Sequence, residues 1–432
     1  MKWKAAVFAV GLHLLLVSES VIAQEPSQPD QRPPITFTDY VNEVLRSNLD
    51  LAALRSNIAI SQAAVTTASV RPDWSFDIGV PGADLSNRGF PTTWSFGLTV
   101  PVELGGKRGA RMRAATADVS STTADYDDAV RQLRATAANT FVDALGARQI
   151  LQSKNKSLAQ LDRIVSVNEE RLRVGDIGEI ELAQSRVERD QFKADVISAE
   201  SDVYGADLAA AQQLGNPDKL GTQMPVPSGS LEIGTRTFSL DQLIAHALQT
   251  RSDVLSRMRA INAADERVKL AKANLVPDIA ANAAFSHTGS GSGDFEQQPD
   301  NTIAGGVSFN LPIFRNLHRG ELASALATRQ QAELQLHSAQ LKVEVEVRDA
   351  YEKYESSARR LNVFRSGLLR DADRVLEARL YAYQRGSATL LEVIDAQRKS
   401  ADVYLAYSQA LMDHGHALVT LEEAAATWDI SF

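Results

Sequence analysis

Two acidic side chains, Glu392 and Asp395, stand three residues apart, a spacing that puts both on one face of a helix. Three kinds of chemistry are open to such a pair. As catalytic groups they would need a pocket around them, and neither that context nor a nucleophile–base pairing is legible. As solvated carboxylates beside a helix N-terminus they would simply be favoured by its dipole. Repeated by rotational symmetry, they would stack into carboxylate rings that attract cations and repel anions in a narrow pore. The histidines add no catalytic site. His246, His287, His318, His337, His414 and His416 are scattered, without His-Glu-x-x-His or comparable ligand spacing. His414 and His416 are two apart, so on a helix they point to different sides. Gly289-Ser290-Gly291-Ser292-Gly293 lacks the Lys-Ser/Thr that completes a phosphate loop, and it reads as a surface loop. Cysteine is absent, which excludes disulfides, thiolate metal sites and Cys nucleophiles. The chain is expected to be no enzyme and to carry no cofactor and no resident metal.

The elements that must position the carboxylates are set by patterning. Lys2, Lys4, the apolar run Ala5 to Val17 and the small residues Val21-Ile22-Ala23 form a signal peptide over 1–23. Its apolar run is shorter than the roughly 20 residues a membrane-spanning helix needs, and no later stretch is longer without a charge. Cleavage removes two positive charges and one negative, so the charge of −9 becomes about −10, a poor basis for binding nucleic acid.

The rest is written twice. After a linker over 24–35, a first repeat spans 36–221. A second linker spans 222–236, a second repeat 237–428, and a tail 429–432. Thr36-Phe37-Thr38 and Thr237-Phe238-Ser239 each open a helix, ending at Arg71-Pro72-Asp73 and Val276-Pro277-Asp278. Each helix is followed by two alternating segments around a turn-rich loop, then a Pro (Pro101, Pro312), then a long heptad region interrupted once by a Gly turn. The turns lie at about 173–178 and 384–389. Leu151, Leu158, Leu161, Val165 and Leu172 set the heptad before the first turn. Val347, Tyr351, Tyr354, Ala358, Leu361 and Leu368 set it before the second. A run from Gly106 to Arg173 is on the order of 100 Å long as a helix; no single chain buries such a rod, and its narrow seam requires partners.

The alternating segments predict strands at about 74–81, 92–101, 278–286 and 302–312. Trp74-Ser75-Phe76-Asp77-Ile78 and Trp94-Ser95-Phe96-Gly97-Leu98 put aromatic and aliphatic groups on one face. Their lengths approach what a tilted strand needs to cross an outer membrane. Four strands cannot close a barrel, and open edges are not tolerated in lipid, so three copies giving twelve strands are the expected solution. The fold class is thus mainly α with a small β part: a duplicated helix/β-hairpin/coiled-coil repeat, forming a twelve-stranded trimeric transmembrane barrel on an α-helical tunnel. A final Phe432 is shared with many outer-membrane barrels, but here the last predicted element is a helix.

These features resemble the TolC-like outer-membrane efflux family across essentially the whole mature chain. The resemblance is carried by the repeat and three motifs. The first is Tyr383-Gln384-Arg385-Gly386-Ser387-Ala388-Thr389-Leu390-Leu391-Glu392-Val393-Ile394-Asp395. The second is Arg173-Val174-Gly175-Asp176-Ile177-Gly178-Glu179-Ile180-Glu181. The third is Pro101-Val102-Glu103-Leu104-Gly105-Gly106-Lys107-Arg108, with Leu311-Pro312-Ile313-Phe314-Arg315-Asn316 in the other half. Glu-Leu-Gly-Gly-Lys-Arg is similar to the cobalt–zinc–cadmium branch in particular.

The resemblance implies an exit duct of a tripartite pump in the outer membrane of a Gram-negative bacterium, with the helices in the periplasm. It implies a homotrimer, outer-membrane lipid, a periplasmic adaptor and an inner-membrane transporter of the resistance–nodulation–division type. Heavy-metal cations are the expected cargo, with drugs or secreted polypeptide as the alternatives and a non-conducting adhesin stalk ranking lower. On the matching positions, Glu392, Asp395, Glu181, Tyr383 and Asp176 belong to the pore entrance. Arg173, Gly175, Arg385 and Gly386 belong to the tip that docks the adaptor. Ala388 occupies the position where the family places an Arg partner for the closing Tyr, and Arg173 or Arg385 is the expected substitute.

Overall fold

The computed structural model describes residues 32–80, 91–217, 220, 224–291, 298–310 and 316–432. The signal peptide, linker residues 24–31, the loops at 81–90 and 292–297, and Leu311 to Arg315 of the third motif lie outside the described residues.

Strand β1 (Pro34–Ile35) leads into helices α1 (Phe37–Ser47) and α2 (Leu49–Ser69), strands β2 (Ser75–Gly79) and β3 (Thr93–Val102), and the long helices α3 (Lys107–Arg173) and α4 (Glu179–Gln213). After β4 (Val226–Pro227), the order recurs as α5 (Leu240–Thr250), α6 (Ser252–Ala273), β5 (Asp278–Thr288), β6 (Asp300–Asn310), α7 (Asn316–Val363), α8 (Leu369–Gln384) and α9 (Leu390–Ala425). Helix α3 has 67 residues and is therefore about 100 Å long.

Two helices stand in each half where the sequence predicts one. The corner after α1 is made by Asn48, whose extended backbone ends one helix while its Oδ1 accepts from Leu51 N at 2.9 Å to start the next. Arg251 makes the equivalent corner after α5. Its buried guanidinium donates to Asp253 (2.6 Å) and to the Ala424 carbonyl (3.2 Å), and pairs with Glu346 at 2.7 Å. Neither corner uses Pro or Gly, so local composition did not announce it.

A second departure lies in the other half. Helix α3 runs straight through, but its counterpart breaks between α7 and α8 into a single π-helical turn, Phe364–Leu368, where Gly367 has φ 156°. An L side chain rarely adopts that backbone.

Among the described residues the helices are held by three apolar clusters. The largest encloses Phe37, Tyr40, Val44, Phe141, Val142 and Leu411, with Phe37 edge-on to Phe141 at 5.4 Å. Phe432 packs edge-on to Phe37 at 5.0 Å, so the terminal aromatic ring belongs to this helical core and to no strand. Alanine sets the spacing along α3: Ala137, Ala138 and Ala144 are fully buried. Gly146 faces α9 so closely that a Cβ would lie 2.4 Å from Met412 Sδ. Small residues here let helices approach in a way that leucine would prevent.

The four long strands form one antiparallel sheet in the order β2-β3-β5-β6. β5 reaches Thr288, further than alternation alone predicts, because Thr288 pairs with Thr93 on one side and Asp300 on the other. Register places Ile78, Phe96, Phe285 and Ile303 in one row across the sheet. Phe76, Val307 and Phe309 share that face, while Ser95, Gly97, Thr99, Asn282 and Ser308 share the other. Ile303 is 84% exposed and Phe76 72%, so nothing among the described residues covers the apolar face. β2 and β6 have no outer neighbour among the described residues.

The third motif fastens this sheet to the helices. Asp278 at the foot of β5 accepts from Lys107 Nζ (2.7 Å) and from Leu104 N (3.1 Å). Glu103 accepts from Arg111 Nη2 at 3.0 Å, and Arg111 also reaches the Val70 carbonyl at 3.1 Å.

Candidate functional site

The two turns opposite the sheet are built alike. At the first, Gly175 N donates to Leu172 O (3.0 Å) and Asp176 N to Arg171 O (2.8 Å). At the second, Gly386 N donates to Tyr383 O (3.0 Å) and Ser387 N to Ala382 O (2.9 Å). Both are Schellman closures that require a left-handed residue, supplied by Gly175 at φ 81° and Gly386 at φ 72°. The helix starts beyond the two turns differ. Thr389 caps α9 in a full capping box with Glu392, whereas Gly178 starts α4 without a side-chain cap.

The capping box fixes Glu392. Its Oε2 accepts from Thr389 N at 2.8 Å, and that backbone bond, with the Thr389 hydroxyl, holds its carboxyl below the usual range. Oε1 faces Arg379 Nη1 at 3.1 Å. One helical turn on, Asp395 pairs with Lys399 Nζ at 2.7 Å. Both carboxylates lie on the exposed face of α9, above the buried Val393, Ile394, Ala396 and Gln397. Glu181 occupies the third position of α4, as Glu392 does in α9, and is exposed. Asp176 is exposed within the first turn.

Tyr383 is buried. Its hydroxyl donates to Asn168 Oδ1 at 2.6 Å, its carbonyl accepts from Arg171 Nη1 at 3.0 Å, and the Arg171 guanidinium lies 4.4 Å from the ring centroid. Burial raises the Tyr383 hydroxyl above its ordinary pKa, with Arg171 opposing and Glu181 reinforcing the rise, so the group stays a donor. Around it pack Leu161, Ile164, Leu390, Val393 and Ile394, with Ala388 against them. The position where the family places Arg is thus filled by an apolar contact.

The partner of Tyr383 is Arg171, not Arg173 or Arg385. Residues 171 and 173 are roughly 200° apart around a helix, and Arg173 turns outward to Glu170, donating from Nε at 2.8 Å. Arg385 lies over the exposed Tyr381 ring at 4.3 Å. Arg171, Asn168, Arg379 and Lys399 were not singled out from the sequence. Asn168 had a signal: it stands on the heptad seam between Val165 and Leu172, where a polar residue specifies register at the expense of stability.

Replacing Tyr383 by Phe leaves the fully buried Asn168 without its donor, a loss of about 1–3 kcal/mol. Amide exchange in residues 161–173 and 380–394 should accelerate accordingly, with the sheet and the core around Phe37 and Phe141 unaffected. Unchanged exchange there would remove the fastening role.

Known proteins share this architecture. The family model described as "Outer membrane efflux protein" matches residues 40–216 and again 243–427, once in each half. The outer membrane efflux protein BepC of Brucella suis is 24% identical over 384 residues, covering 88% of this chain and 82% of its own. The cobalt-zinc-cadmium resistance protein CzcC of Cupriavidus metallidurans is 21% identical over 389 residues, covering 90% and 89%. Among solved structures, CusC superposes with a TM-score of 0.75 at 18% identity, covering 91% of this chain and 92% of that one. With a duplicated helical hairpin, a membrane-type sheet and a family match across both halves, the chain belongs to the outer membrane efflux protein family, as a non-enzymatic efflux channel of the outer membrane.

Proposed function

We propose that three copies of this chain close into a twelve-stranded barrel in the outer membrane and a helical tunnel in the periplasm. The observation that carries this reading is the four-stranded sheet, whose apolar face is uncovered and whose two edges are unpaired among the described residues. In lipid every backbone donor and acceptor must be paired, and edges β2 and β6 can satisfy each other only between copies. A head-to-tail contact of that kind closes into a ring.

The turns at Gly175 and Gly386 form the tunnel's inner end. There Arg173, Gly175, Arg385 and Gly386 meet a periplasmic adaptor, which joins the duct to an inner-membrane transporter of the resistance–nodulation–division type. Tyr383, Asn168 and Arg171 fasten each protomer's hairpins at this end. Glu392, Asp395, Glu181 and Asp176 form the acidic entrance. The duct conducts passively, and its cargo is a heavy-metal cation. Acidic side chains at the entrance and the likeness to a cobalt-zinc-cadmium resistance protein support that cargo, as does the Glu103-to-Arg108 motif.

Single-channel recording of the purified protein in a planar bilayer tests the duct. Small, cation-preferring openings from trimers, and none from monomers, are expected. A trimer that inserts and never conducts would sink the reading. The cargo is tested separately, in a strain lacking the chain: hypersensitivity to cobalt, zinc and cadmium is expected, and hypersensitivity confined to drugs would replace metal export with drug export.

A further inference from the structure

The duplicated halves differ midway along their longest helices, and the segment between the repeats sits on the place where they differ. Aligning Gly175 with Gly386 sets Ser153–Ser157, inside the unbroken α3, opposite the π-helical turn Phe364–Leu368. One strut of the protomer is therefore continuous and the other is jointed. π-Turns inside long helices commonly mark functional joints. Gly367 gives this one a backbone conformation that other residues rarely share.

The inter-repeat segment crosses the joint and grips it from three sides. Glu232 Oε2 accepts from Arg365 Nη2, within the π-turn, at 2.8 Å. Its other oxygen accepts from the Tyr407 hydroxyl of α9 at 2.6 Å. Phe364, also in the turn, leans on the Tyr407 ring at 5.7 Å. Leu231 is buried beside them. Four residues on, Arg236 N donates to the Tyr354 hydroxyl at 2.6 Å, which donates back to the Arg236 carbonyl at 3.0 Å. Tyr354 belongs to α7, above the joint. One short stretch of chain thus holds α7, the turn and α9 in a fixed relation.

We propose that residues 231–236 are a clasp on a hinge at Phe364–Leu368, and that releasing Glu232 frees α8 to swing about Gly367 while α3 stays rigid. Because α8 ends at Tyr383 and joins α9 at Thr389, motion at the joint is delivered to the tip. The hinge stands on this geometry alone; its effect on conduction rests on the duct reading above.

Amide hydrogen exchange on the purified full-length protein in detergent tests it. Wild-type residues 360–378 should exchange faster than residues 149–167 of α3. Glu232→Ala should raise the rate at 360–378 by about tenfold, as loss of charge-assisted bonds opens a local unit, with 149–167 unchanged. A rise spread equally over both struts, or no rise, would overturn the clasp. Should Glu232→Ala fail to fold, Tyr407→Phe removes a single hydroxyl and should give a smaller rise in the same place; its absence would also overturn the clasp. If exchange behaves as expected but the bilayer shows no openings, the hinge stands and the duct reading falls.

Discussion

Neutralising the proposed entrance carboxylates as Glu392→Gln with Asp395→Asn should turn the cation preference expected of the pore into an anion preference. In the wild type each carboxylate stands beside a fixed positive group, Arg379 at 3.1 Å and Lys399 at 2.7 Å. Removing only the negative partners leaves those cations unopposed. Six neutralised groups per trimer in a narrow passage should shift the permeability ratio by about tenfold at low salt, and by less at high salt, since exposed charges are screened. The choice of residue matters. Glu392 also caps α9 through Thr389, so Glu392→Ala would remove about 1 kcal/mol of helix stability together with the charge. Gln keeps an acceptor for Thr389 N and is natural in a capping box. Reversal potentials across a salt gradient measure the outcome. An unchanged ratio would leave the duct in place and move the selectivity determinant away from Glu392 and Asp395.

The second large effect concerns pH and lies near the C-terminal end of α9. Glu422 on α9 is fully buried, next to Arg236 (3.1 Å) and accepting from Ile430 N at 3.2 Å. Burial pushes its carboxyl up to about 8, with Asp429 reinforcing the rise and Arg236 opposing it. Asp429, bound by Arg236, is held down at about 2. The native state therefore keeps a proton on Glu422 that the unfolded chain gives up at an ordinary carboxylate pKa. Where the native state binds more protons, stability falls as pH rises. For Glu422 that window runs from about 4.5 to about 8, and the loss across it is on the order of several kcal/mol. Asp429 acts oppositely, but only in acid: its contribution is present at neutral pH and disappears as pH falls toward 2. Glu422→Gln imitates the protonated carboxyl and should flatten the curve. Thermal unfolding of the purified protein at pH 5 and pH 8.5 should show the variant matching wild type at the lower pH and exceeding it at the higher. Parallel curves would mean that Glu422 is ionised in the folded protein.

Patterns that repeat were legible in the sequence. The strand alternation of Trp74, Phe76 and Ile78 and of Trp94, Phe96 and Leu98 does appear as one apolar face, because side chains on a strand alternate by necessity. Of the heptad positions, Leu161 and Val165 of α3 and Val347, Tyr354 and Leu361 of α7 are buried, because a 3.5-residue spacing keeps one seam against a neighbour. Features built from one or two long-range contacts were not legible. Asn48 and Arg251 break helices by side-chain bonds that leave no mark in composition. Gly367 was one glycine among several until Glu232, Tyr407 and Arg365 were seen around it. At the tip, the motif fixed attention on Arg173 and Arg385, while the rotation of the helix gave the contact to Arg171. Ala388 was read as a missing partner, and it is instead part of the apolar packing around Tyr383.

The unpaired edges of β2 and β6 also bear on how such a protein is made. Helical hairpins form from contacts close along the chain, so they form early. The sheet joins strands roughly 200 residues apart, β3 with β5, and in the proposed trimer its outer edges wait for another copy. A newly exported protomer thus has a ready helical body and a sheet whose apolar face and open edges invite aggregation. If the chain trimerises as proposed, folding, oligomerisation and membrane insertion cannot be three successive steps. They must be one event, whose rate climbs steeply with the local density of protomers, and a lone copy must be shielded until its neighbours arrive.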